Sequence, residues 1–356
     1  MTATTTPGQK VRLLRSLSIT LEPVLPTARR GRSVPGRAIF PQDVGEVERR
    51  HLPGTDLRVS AVGFGAWALG GEHWGDDCDP AEGKAAVRAA LDAGVTLFDT
   101  APLSGKGRAD TLLREALGSR IHDVVVATKV GVRVDGAHPV SDLSPAHVEQ
   151  DVERSLRRLG LGTLPLVQVH WPCERGTPLA DTLGALSRLR EAGKIRWFGL
   201  CNYGPDVVEA HGAELASLQT PLSLVRREGL AALIPTAARR GVGVLAYEPL
   251  ARGLLSGKYR ALPSFPETDM RRRDPRFWAA RFGQIAPSIT RLRAMASQVG
   301  VPCAALAVAW VASRPGVTAA LVGAKRPAQV AENVQAARLL ARPDAARLLD
   351  AVGTRV

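Results

Sequence analysis

From residue 45 onward the chain alternates short apolar runs with longer stretches whose apolar residues recur every three to four positions, and turn residues separate the two. Eight runs read as strands: Val62–Gly65, Val95–Asp99, Val124–Lys129, Leu166–His170, Arg196–Cys201, Leu222–Val225, Gly243–Glu248 and Ala319–Gly323. The stretches between them carry helix punctuation. Asp79-Pro80-Ala81-Glu82 offers a capping side chain, a proline for the first helical position and an acid in the first turn, and Gly94 follows the last turn. Ser144-Pro145 repeats the start signal, Val148, Val152, Leu156 and Leu159 form one stripe, and Gly160 ends it. Helical text also fills 179–192, 206–215, 230–240, 286–299, 303–314 and 327–340. Eight strands with a helix after each predict an α/β fold, a (β/α)8 TIM barrel, with extra helices near the C-terminus.

An open doubly wound sheet is the rival. It calls for a glycine-rich phosphate loop after the first strand, but Gly63-Phe64-Gly65-Ala66-Trp67-Ala68-Leu69-Gly70-Gly71 lacks the G-x-G-x-x-G spacing and does not run straight into a helix.

The 356 residues, 45% of them apolar, suffice for one large barrel. The net charge of +13 raises the question of nucleic acid, but its distribution points elsewhere. Residues 1–44 hold seven arginines and lysines against Glu22 and Asp43 and have no sustained period, so they read as a basic, disordered extension, with one barrel domain over 45–356. The other arginines are spread along helices near acids, which makes a solvated surface. Four cysteines without paired spacing support neither a disulfide framework nor a metal site. No apolar run approaches a membrane span, and a cytoplasmic protein is expected.

The predicted strand ends are polar. Asp99 closes the second, Lys129 the third and His170 the fourth; Asn202 follows the fifth, Gln219 precedes the sixth, and Tyr247 with Glu248 closes the seventh. In a barrel these ends meet at one mouth, where a buried acid and lysine are expected to pair.

From about Arg50 to Ala337 the chain resembles the aldo/keto reductases. The matching segments, in register, are Gly-Phe-Gly-Ala-Trp at 63–67, Phe-Asp-Thr-Ala at 98–101, Ala-Thr-Lys at 127–129, Leu-Val-Gln-Val-His-Trp-Pro at 166–172, Gly-Lys-Ile-Arg-Trp-Phe-Gly-Leu-Cys-Asn-Tyr at 193–203, Tyr-Glu-Pro-Leu-Ala-Arg-Gly-Leu-Leu-Ser-Gly-Lys-Tyr at 247–259 and Val-Gly-Ala-Lys-Arg-Pro-Ala-Gln-Val-Ala-Glu-Asn at 322–333. The resemblance implies hydride transfer from NADPH to a carbonyl, with Asp99, Lys129 and His170 in the acid–base machinery. It implies Asn202 and Gln219 on the cofactor carboxamide, Tyr247 under the nicotinamide, Glu248 and Leu250 beside the pyrophosphate, and Lys325, Gln329, Glu332 and Asn333 at the adenosine end. Lys325 is placed to neutralise a 2′-phosphate, which favours NADPH over NADH. Trp74, Trp171 and Trp278 are candidate substrate-facing aromatics.

Three departures stand out. Ser104 occupies the position of the family's proton-donating tyrosine, Glu248 stands where a serine is common, and Leu222 replaces a frequent aromatic. A short aliphatic hydroxyl is a far weaker acid than a phenol, so His170, or a Lys129 freed from its usual partner, becomes a candidate donor. An acceptor such as an iminium, which needs no simultaneous proton, is a further possibility. The alternatives are a cofactor-independent lyase or isomerase using Lys129 and His170, and a non-catalytic nucleotide-binding protein. Substrate loops are expected at 70–80, 103–110, 131–143, 172–178 and 260–285, and Arg271, Arg272, Arg273, Arg276 and Arg281 point to an anionic small molecule.

Overall fold

The computed structural model describes residues 47–74, 79–135 and 138–356, so the basic extension at 1–44 lies outside the described residues. The eight barrel strands are β1 (Val62–Gly65), β2 (Leu97–Asp99), β3 (Val125–Val130), β4 (Leu164–Val169), β5 (Ile195–Cys201), β6 (Ser217–Pro221), β7 (Gly243–Tyr247) and β8 (Val317–Gly323). They close into an all-parallel ring in chain order, β8 pairing with β1. Crossover helices follow the predicted punctuation. In α1 (Pro80–Asp92) the Asp79 side chain accepts the Ala81 N–H, and α3 (Pro145–Leu159) ends on a left-handed Gly160. Ser144 does not cap α3: its hydroxyl and amide both bond Asp142 Oδ1 instead.

The sixth strand is displaced from its expected position. The apolar Leu222–Val225 forms a turn, and the strand is the more polar Ser217–Pro221 just before it. Its inward residues Ser217 and Gln219 meet polar partners inside the barrel, so burial there does not require an apolar side chain. The segment 131–143, expected as a loop, forms a two-stranded antiparallel ribbon, Val132–Asp135 with His138–Ser141.

The remaining crossovers are α2 (Arg108–Leu117), α4 (Leu179–Glu191), α5 (Pro205–His211), α6 (Leu233–Arg239) and α8 (Cys303–Ala312). Extra helices near the C-terminus are α7 (Ala279–Val299) before α8, and α9 (Pro327–Asn333), α10 (Gln335–Leu340) and α11 (Ala345–Arg355) after β8. Helix α8 is apolar on every face because barrel, α7, α10 and α11 surround it. No single helix among the described residues is long and apolar enough to cross a membrane.

Two apolar bodies hold the ring. The larger lies between strands and helices; the smaller fills the lower interior with Leu97, Leu166, Leu245 and Leu321. An antiparallel hairpin, Arg49–His51 with Arg58–Ser60, contributes Leu52, Leu57 and Val59 to the smaller one. Above this floor the interior becomes polar: Gln168 donates to Ser217 Oγ at 2.9 Å, and Gln219 donates to Gln168 Oε1 at 2.9 Å. Gly199 allows that layer to close, because a Cβ there would sink into the Ser217 carbonyl and hydroxyl. We expect Gly199→Ala to lower the unfolding free energy by about 1–3 kcal/mol in urea titrations, and an unchanged midpoint would show that Ser217 can retreat.

Candidate active site

One cavity of about 770 Å3 opens at the C-terminal ends of the strands. Asp99, Ser104, Lys129, His170, Asn202, Gln219, Tyr247, Glu248, Leu250, Lys325, Gln329, Glu332 and Asn333 all line it, as do Trp74 and Trp171. Trp278 does not. It is 56% exposed at the N-cap of α7, a position that turns its ring toward solvent.

The buried Lys129 ammonium reaches Asp99 Oδ1 and Oδ2 at 2.7 and 2.8 Å and the Thr100 carbonyl at 3.1 Å. An ammonium has three protons, and all three have acceptors. Lys129 is therefore not freed by the loss of a tyrosine. Asp99 also accepts from Gln219 Nε2 at 2.8 Å, which continues the amide chain rising from Ser217. Thr100 donates to Asp110 at 2.8 Å, and Asp110, fully buried, pairs with Arg158 at 2.8 Å. Helices α2 and α3 thus hold the end of β2 in place.

Ser104 is buried 5% exposed at the cavity wall, and among the described residues its hydroxyl has no hydrogen-bond partner. Its loop is packed tightly: a Cβ on Gly70 would strike the Ser104-Gly105 backbone. His170 stands at the same cavity. Burial first, and the Lys129 charge second, push its pKa down to about 3, so near neutral pH the ring carries no ionised proton to give.

Asn202 adopts a left-handed backbone with φ of 67°. Its Nδ2 donates to the His170 carbonyl at 3.0 Å and to Cys201 Sγ at 3.2 Å, and its Oδ1 accepts the Tyr247 hydroxyl at 2.7 Å. Burial pushes the Cys201 thiol up to about 12, so it stays protonated.

Beyond β7 the chain passes through left-handed residues at Glu248, Ala251 and Arg252, each costing about 1–3 kcal/mol. A ring of four charges secures this loop. Glu248 accepts from Arg252 at 2.7 Å and from Arg276 at 2.9 Å, and Asp274 pairs with the same two arginines at 3.1 and 2.6 Å. Arg271 pairs with Asp269, Arg272 with Glu267, and Arg281 bonds Gln284. Arginines 271, 272 and 276, whose clustering suggested an anion site, are therefore matched by acids of their own loop.

At the other end, Lys325 donates to the Trp74 carbonyl at 2.8 Å, and Gln329 accepts the Lys325 backbone N–H at 2.7 Å. Burial raises the pKa of Glu332. Gln168, Ser217, Asp110 and Asp274 were not among the sequence candidates. For Gln168 the signal was a polar residue inside an otherwise apolar strand.

A closed parallel barrel with a buried acid–lysine pair at its mouth defines a barrel enzyme. The family model described as "Aldo/keto reductase family" matches residues 61–353. The chain is 33% identical over 290 residues to the aldo-keto reductase YhdN of Bacillus subtilis, covering 80% of this chain and 87% of that one. Among solved structures it is similar to the glycerol dehydrogenase AKR11B4 from Gluconobacter oxydans (TM-score 0.75, 33% identity, 86% of this chain and 96% of that one). It is also similar to the holo form of aldo-keto reductase AKR11C1 from Bacillus halodurans (TM-score 0.68, 25% identity, 86% and 96%). The chain belongs to the aldo/keto reductase family. It is an oxidoreductase acting on a small molecule, and its family implies a nicotinamide cofactor; the lyase and non-catalytic alternatives are not favoured.

The depressed His170 value carries a sign. Its folded pKa lies below the ordinary 6.5, so as pH falls from about 6.5 toward 3 the unfolded chain binds the proton first, and the stability held by the neutral ring is lost across that window. His170→Gln should therefore show a shallower decline of the urea midpoint between pH 7 and pH 5 than the parent. Equal slopes would mean that the ring protonates normally in the folded state.

Proposed function

We propose that the protein is an NADPH-dependent reductase whose acceptor takes hydride without a proton from the protein in the same step, a C=N+ group foremost among carbonyl, C=N and C=C acceptors. The observation that carries this is the arrangement around Ser104, a weak aliphatic acid with neither Lys129 nor His170 aimed at handing a proton to an acceptor. Lys129 holds its three on Asp99 and Thr100, and His170 is neutral. Reduction of a ketone leaves an alkoxide that needs a proton; reduction of an iminium leaves a neutral amine.

The donor set fits the cofactor. Asn202 and Gln219 have committed their amide protons, yet their oxygens keep lone pairs for the two protons of a carboxamide –NH2. Tyr247, tied to Asn202, offers a ring face beside them. Leu250 lies on the left-handed loop, and Lys325, Gln329, Glu332 and Asn333 cluster at the other end of the cavity. Glu248 faces two arginines, which offset the repulsion that its carboxylate would exert on a diphosphate. The buried indole N–H of Trp74 lacks a partner and awaits an acceptor. When bound, NADPH supplies the hydride. The protein's own residues hold the cofactor and fix the reacting end through the Asp99–Lys129–Gln219 chain. The free thiols of Cys173, Cys201 and Cys303 are in keeping with a reducing cytoplasm.

Tryptophan fluorescence titration should show NADPH binding tighter than NADH, with Lys325→Ala weakening NADPH roughly tenfold or more, as loss of a charge-assisted contact implies. Equal affinities for the two nucleotides would remove the 2′-phosphate role of Lys325. Ser104→Tyr should raise ketone reduction by roughly 10²-fold or more while changing iminium reduction little, the size expected of a restored general acid. A parent enzyme that reduces ketones as fast as iminium ions would sink the acceptor assignment.

A further inference from the structure

Six cationic side chains line the cavity: Lys129, Arg226, Arg252, Lys258, Arg271 and Lys325. Five have partners. Lys129 is paired with Asp99, Arg252 with Glu248 and Asp274, and Arg271 with Asp269. Lys325 bonds the Trp74 carbonyl, and Lys258 lies 4.8 Å over the Tyr259 ring. Arg226 differs: among the described residues its guanidinium has no acid, hydrogen bond or ring against it.

The backbone of Arg226 is fixed in a bonded turn on the cavity wall. It ends the turn that follows β6, where Ser223 N–H bonds the Arg226 carbonyl at 2.9 Å and Arg226 N–H bonds the Ser223 carbonyl at 3.1 Å. The adjacent Arg227 points the other way and anchors the turn, bonding the Leu224 and Gly353 carbonyls at 2.7 Å each and lying 4.9 Å over the Trp310 ring. The turn sits between the ends of β5 and β7, so Arg226 borders the end of the cavity that holds Asn202 and Tyr247, and its charge acts on the Tyr247 hydroxyl.

We propose, taking this cavity as the place where the acceptor is reduced, that Arg226 is a specificity-determining residue that recognises a carboxylate on the substrate. A guanidinium is a planar fork matched to two coplanar oxygens. It carries one charge and has no second uncommitted cation beside it, which suits a monoanion better than a phosphate. The three tryptophans on the cavity wall, Trp67, Trp74 and Trp171, favour an acid with a flat apolar body.

Benzoate, benzamide and phenyl phosphate serve as unreactive probes, titrated calorimetrically against the NADPH-saturated and the nucleotide-free protein. Benzoate is expected to bind roughly tenfold or more tighter than benzamide. Arg226→Gln should erase that preference, and Arg226→Lys should keep only part of it, with the NADPH dissociation constant unchanged within about twofold in both variants. Three results overturn the assignment: benzoate and benzamide binding alike or not at all, a preference that survives in Arg226→Gln, or phenyl phosphate binding tighter than benzoate through Arg226. Failure of the reductase assignment is visible separately, as absence of NADPH binding while the Arg226-dependent preference for benzoate persists in the nucleotide-free protein.

Discussion

The Asp99–Lys129 pair is the constraint around which the barrel mouth is arranged. Two charges almost removed from water need nearly complete compensation, because taking one partner away would leave an uncompensated charge costing about 3–5 kcal/mol. Compensation comes from below and from outside. Gln219, Gln168 and Ser217 form an amide and hydroxyl chain through the barrel interior, and Thr100, Asp110 and Arg158 brace the end of β2 from the helix layer. Gly199 and the polar sixth strand are consequences of accommodating that chain within a ring of parallel strands.

The same arrangement explains why a serine at 104 leaves the architecture of the mouth intact. With both carboxylate oxygens and the Thr100 carbonyl on Lys129, the ammonium is fully occupied whether or not a phenol stands beside it. The cation that makes Lys129 secure also depresses His170, together with burial. On the function proposed above, a centre that keeps this electrostatic frame without a phenol suits an acceptor that is already charged.

Charge matching recurs at the cavity rim. Of the arginines that look in sequence like an anion-binding cluster, Arg271, Arg272 and Arg276 are balanced by Asp269, Glu267 and Asp274 of their own loop and by Glu248 beyond β7. Among the cations that line the cavity, the one without a partner among the described residues, Arg226, belongs to a different turn, after β6. Local charge density was thus a poor guide to where a cation is available, since availability depends on which acids lie within about 4 Å in space.

The sequence alone determined the barrel, seven of its eight strands to within a few residues, the helix boundaries at Asp79 and Gly160, the family and the set of polar residues at the strand ends. These follow from local rules: hydrophobic period, capping chemistry and motif order act between near neighbours in the chain. The tertiary structure decided the rest. It placed the sixth strand on Ser217–Pro221, turned Trp278 into solvent, set Glu248 against Arg252 and Arg276, and kept Lys129 bound. Each of these depends on partners between four and 120 positions apart in the chain, whose meeting is set by ring closure and loop packing. A pattern read along the chain shows which side chains are polar, and only the closed barrel shows which of them are already satisfied.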